Sequence, residues 1–199
     1  HHTGAPLVMR TYTGEKNDCE LPVSQQLIEE AGVRLANSVI TGDALMPKKN
    51  GAILQQAGAD YFLALKDNQP TLHGIARQKL DHLAPAWRSE IECDHGRLEH
   101  RELRVSEFDL DVSLFPQARQ MCSLTRYCQM KNGGEATVET RHFITSIEQG
   151  VASHLRPATL GRGHWSVENK NHWRRDATRW REDRSVRRKP KGAKNLTLL

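Results

Sequence analysis

Short apolar segments alternate with helix-patterned ones through the first 82 residues, and this alternation constrains the fold more than any other feature. Residues 6–12 (PLVMRTY), 37–43 (NSVITGD) and 60–66 (DYFLALK) have strand character. Between and after them, residues 22–32, 48–58 and about 71–82 have helix character. Pro22 stands in the first turn of the first helix and Gly32 closes it; Gly58 closes the second, and Asp67-Asn68-Gln69-Pro70 supplies a turn before the third. Strand–helix alternation of this kind predicts an α/β sheet with parallel strands covered by helices. Functional groups in such sheets gather at the carboxyl ends of strands, which is where Asp43 stands.

A different pattern follows. Residues 92–93, 98–108, 117–129 and 136–146 read as strands, with Asn132-Gly133-Gly134 as a hairpin turn between the last two. A β-rich block, about residues 92–150, therefore separates the α/β half from a C-terminal helix.

That helix carries the densest chemistry in the chain. Gly163 to Trp173 holds His164, Trp165, Glu168, His172 and Trp173 with no Pro inside. Helical spacing puts Glu168, His172 and Asp176 at i, i+4 and i+8, along one face. By pattern alone, the favoured reading is a surface helix with its Trp side chains packed inward and Glu168 outward. His164 and His172 are eight apart, a poor two-ligand spacing for zinc on one helix, so they orient the helix or touch a ligand.

Charge narrows the partner. The chain of 199 residues carries +5 overall. Between Arg174 and Lys194, ten Lys/Arg face three acids, a local +7, so the rest of the chain sums to −2. A localised basic segment suits a polyanion, and its alternative is a solvated tail. Four Cys at 19, 93, 122 and 128 form no C-x-x-C pair, fit no zinc module and suggest a reducing compartment. No apolar run approaches the ~20 residues that span a bilayer.

The ordered motifs resemble one family. Gly163 to Trp173 is similar to the H-W-x-(I/V)-E-N-x-L-H-W segment of bacterial insertion-sequence transposases of the H-repeat-associated type. Residues 15–22, Val39 to Leu45, Gly58 to Gln69 and His95 to Arg101 resemble further segments of that family in the same order. So do Arg175 to Thr178 and Glu182 to Ser185. The resemblance implies an RNase H-like mixed sheet flanked by helices, with the β-rich part as an insertion before the C-terminal catalytic helix. It implies a DDE triad in which Asp43 is the second carboxylate and Glu168 the last. It also implies metal-dependent cleavage at insertion-sequence ends and strand transfer into target DNA, with Mg²⁺ or Mn²⁺ held by Asp43 and Glu168.

Several departures qualify this expectation. No residue here corresponds to the first triad Asp. Asn171 replaces a family Leu, and one extra residue separates Thr178 from Glu182. The expectation is an N-terminally truncated, partial RNase H-like catalytic domain over 1–199, with a basic segment at 174–199. Such a chain is expected to be inactive in cleavage, and the competing expectation is a DNA-binding or interfering remnant. Expected partners are transposon-end and target DNA, a second copy or a full-length transposase, and no membrane. The expected setting is the bacterial cytoplasm, at the nucleoid. Candidate DNA contacts are Lys66, Gln69, Arg97, Arg101, His164, His172 and Arg175, each with a solvated or ion-paired face as its alternative.

Overall fold

The structure is a computed structural model, and it describes residues 20–43, 48–67, 69–109, 115 and 117–148. The strand expected at 6–12, the helix expected to carry Glu168 and the basic segment lie outside the described residues. The chain divides into two compact units, His1–Ala31 with Arg162–Leu199, and Gly32–Gly161.

In the first unit the described element is α1 (Glu20–Ala31). Pro22 suits its first turn, where the missing N–H leaves nothing unpaired. Val23, Ile28 and Ala31 are buried along one stripe. Gly32 follows at φ 50°, a left-handed conformation that ends a helix cheaply only at glycine.

The second unit is built on one sheet. Its elements are β1 (Val39–Asp43), α2 (Lys48–Gln56), β2 (Asp60–Leu65), α3 (Pro70–Leu80) and β3 (Trp87–Arg88). They are followed by β4 (Glu92–Asp94), β5 (Arg97–Glu107), β6 (Gln120–Met130) and β7 (Thr137–Thr145). The sheet order is β1-β2-β7-β6-β5-β3, with β4 also on β5. β1 and β2 are parallel, joined through α2 as the alternation predicts, and every other pairing is antiparallel. This mixed α/β architecture is that of an RNase H-like fold.

The strands expected from residue 92 onward are present as β4 to β7, and they belong to the same sheet as β1 and β2. β7 pairs with β2, Phe62 opposite Thr145 and Leu65 opposite His142, so both halves share one sheet. The reason is visible in β7 itself. Its first four residues are exposed, whereas His142, Phe143, Ile144 and Thr145 are buried and match the apolar β2.

Strand periodicity sorts the core onto two faces. On one, Phe62 and Phe143 stack at 4.6 Å between ring centroids, with Leu103 and Cys122 buried beside them. Burial pushes the Cys122 thiol up to about 12, so it stays neutral and behaves as a small apolar side chain. On the other face lie Tyr61, Leu63, Met121 and Ile144. There α3 packs against β5, β6 and β7 through Leu72, Ala76 and Leu80, a repeat of four along one helix face.

Candidate active site

Asp43 is the last residue of β1, and its Cα pairs with that of Ala64. The same register continues across the sheet through Phe143, Cys122 and Val105. A carboxylate-bearing residue therefore stands at the carboxyl end of the parallel pair, as the sequence predicts. Apolar pairing on both sides of β2 fixes its backbone position.

β2 ends one residue later, and the polar turn after it belongs to the same end of the sheet. Lys66 is exposed immediately beyond Leu65. Gln69 is the residue before the first turn of α3; its N–H donates to the Lys66 carbonyl at 3.0 Å, and its carbonyl accepts from the His73 N–H at 2.9 Å. Both candidate DNA contacts of this turn thus sit close in sequence and register to the strand end that carries Asp43.

β5, β6 and β7 run on past that end as a ribbon. From the row of Val105 to Arg97 is eight residues of β5, about 26 Å at ~3.3 Å per residue. Arg97 and Arg101 share the face that carries Leu103 and Val105, but their environments differ. Arg97 is exposed at the start of β5, and among the described residues no ion pair involves it. Arg101 is half-buried, paired with Glu99 and with Glu92 at 3.5 Å, so a phosphate would compete with two carboxylates for it. Glu99 also accepts from Arg126 Nε at 2.8 Å. On the opposite face Glu102 accepts from Arg104 at 2.9 Å and from the Tyr127 hydroxyl at 3.2 Å, and pairs with Arg88 at 2.9 Å. These two carboxylate hubs are the residues that the sequence reading missed. The alternating R-L-E-H-R-E-L-R of residues 97–104 was the available signal.

Glu168, His164, His172 and Arg175 lie outside the described residues. Among the described residues no three His, Cys, Asp or Glu side chains cluster in a way that holds a metal ion. No helix among them is long and apolar enough to cross a membrane.

The sequence model of the family described as Transposase DDE domain matches residues 1–196. The chain belongs to that family. It is 28% identical over 196 residues to "Putative protein YbfL" of Escherichia coli K12, covering 92% of this chain and 50% of that protein. It is 28% identical over 190 residues to "H repeat-associated putative transposase YhhI" of the same organism, covering 88% of this chain and 48% of that protein. An "Uncharacterized protein in dhlA 3'region" of Xanthobacter autotrophicus is 33% identical over 101 residues, covering 47% of this chain and 33% of that protein. No solved structure matches. This DDE transposase domain spans about half the length of the first two of those relatives. The family works on DNA and generally depends on a divalent metal.

Proposed function

We propose that this chain supplies part of the catalytic centre of an insertion-sequence transposase, with Asp43 and Glu168 as two of its metal-holding carboxylates. The observation that carries the proposal is the position of Asp43 at the carboxyl end of β1, where a parallel strand pair opens onto a polar turn. The donor chemistry fits Mg²⁺ or Mn²⁺, hard cations that take carboxylate oxygens and keep several waters, so few protein ligands suffice. Such a metal, when bound, polarises a phosphodiester and lowers the pKa of attacking water.

The chain's own residues do the positioning. Asp43 would offer oxygen ligands from the end of β1, and Glu168 would join it from 125 positions further along the chain. Lys66 and Gln69, on the turn after β2, would neutralise or hydrogen-bond backbone phosphates arriving at the same sheet end. Arg97 would meet DNA further out along the ribbon, and His164, His172 and Arg175 would add contacts beside Glu168. The basic residues from Arg174 onward would add salt-dependent affinity without sequence readout.

The 199 residues offer two of the three family carboxylates, so we expect this segment by itself to bind DNA but not cut it. The test is an excision assay with the longest reading frame that contains these residues. Asp43→Ala and Glu168→Ala should each reduce excision by more than about 100-fold, since even residues behind metal ligands cost ~10–100-fold. DNA binding should persist in both variants. Excision surviving either substitution contradicts the assignment.

A further inference from the structure

His142 is a buried group for which the proposed chemistry has no use. It lies on β7 between Leu65 of β2 and Ser123 of β6, with 5% of its side chain exposed. α3 covers it. His73, Arg77 and Asp81 recur every four residues along that helix and its C-cap, and so share one line over the sheet. His142 Nε2 is 3.2 Å from Asp81 Oδ1. The His73 ring meets it edge-on, with centroids 5.2 Å apart. His73 Nδ1 in turn is 3.4 Å from Asp67 Oδ1, in the turn after β2.

This geometry defines the tautomer. Asp81 can only accept, so Nε2 carries the proton and Nδ1 carries a lone pair. Nδ1 is buried and has no hydrogen-bond partner among the described residues. A proton added there would create an N–H without an acceptor, inside a packed layer, against the His73 ring and under the repulsion of the Arg77 charge. Burial holds the His142 pKa below its ordinary value; Asp81 opposes that shift, and His73 and Arg77 reinforce it. The remaining charged group in its sheet row, Arg104 on β5, is already committed to Glu102.

We propose that His142, enclosed by Asp81 and His73, is a proton-operated latch that holds α3 on the sheet when neutral and releases it when protonated. The latch is independent of the transposase reading, because it rests on packing within Gly32–Gly161. Its output nevertheless reaches the proposed site. The first turn of α3 continues directly from Lys66 to Gln69, so loosening α3 loosens the turn beside the Asp43 strand end.

Amide hydrogen exchange on the 199-residue chain at pH 7.5 and 5.5, corrected for intrinsic rates, tests the latch. Protection of α3 amides should fall at pH 5.5 by on the order of tenfold at most, because pH 5.5 lies about one unit below the ordinary histidine midpoint. Protection of β5 and β6 should hold. His142→Gln, which keeps a donor for Asp81 but does not titrate, should give equal α3 protection at both pH values. Should that variant fail to fold, the ¹⁵N shifts of the wild-type imidazoles decide instead. His142 should remain an Nε2–H neutral ring at pH 6.5, the ordinary histidine midpoint. Titration of His142 at or above that midpoint, or α3 protection that tracks β5 and β6, overturns the latch.

Discussion

Glu99 and Glu102, three residues apart on β5, hold arginines on opposite faces of one strand. Glu99 gathers Arg101 and Arg126, and Glu102 gathers Arg88 and Arg104. An odd separation on a strand reverses the face, so each carboxylate organises its own network. Together they tie down the ribbon that extends past the Asp43 strand end, and of the arginines offered as phosphate ligands they engage Arg101.

Removing Glu102 should destabilise the fold more than removing Glu99. Glu102 accepts from two arginines and the Tyr127 hydroxyl with a side chain only 10% exposed. Charge-assisted hydrogen bonds of this kind contribute roughly 1.5–3 kcal/mol, and the exposed Arg88 partner contributes little. Glu102→Ala should therefore cost about 2 kcal/mol in urea denaturation, and Glu99→Ala less. Equal midpoints for the two variants would refute the ranking.

Arg97 and Arg101 should separate binding from stability. Arg97→Ala is expected to weaken DNA binding about equally for all sequences and to lower the log–log salt slope by roughly one, with the melting temperature unchanged. Arg101→Ala should lower the melting temperature while leaving the salt slope intact, because its guanidinium serves Glu99 and Glu92. Filter-binding titrations between low and moderate salt, alongside thermal melts, distinguish the two.

Stability should fall on mild acidification. The His142 pKa is lowered in the folded chain from its ordinary value of about 6.5. The unfolded chain therefore binds the proton more tightly, and stability rises with pH wherever unfolded histidine is protonated and folded His142 is not. The loss should begin as pH falls through about 6.5 and level off below the folded pKa. Urea midpoints measured from pH 8 to 5 should show this slope in the wild type, and a reduced slope in His142→Gln.

Element boundaries were legible in the sequence because single residues enforce them. Gly32 and Gly58 close α1 and α2 at φ 50° and 71°, and Gly133 and Gly134 take φ 85° and 124° in the turn before β7. Asp43 was legible as a strand end for the same local reason. Strand partners were not, since alternation marks a strand without naming its neighbour; the pairing of β7 with β2 could not be read from either strand alone. β3 escaped because its two residues carry no periodicity. The engagement of Arg101 escaped because alternating exposure cannot reveal a carboxylate two residues away on the same face.

In the proposed role Asp43 holds a divalent cation. Mn²⁺ broadens the NMR signals of nuclei near it even when binding is weak, so titrating Mn²⁺ into the ¹⁵N-labelled chain tests this directly. The amides of Thr41 to Asp43, Ala64 and Lys66 should broaden first, and Asp43→Asn should abolish the effect. Broadening that spares these residues, or that persists unchanged in Asp43→Asn, would contradict the account.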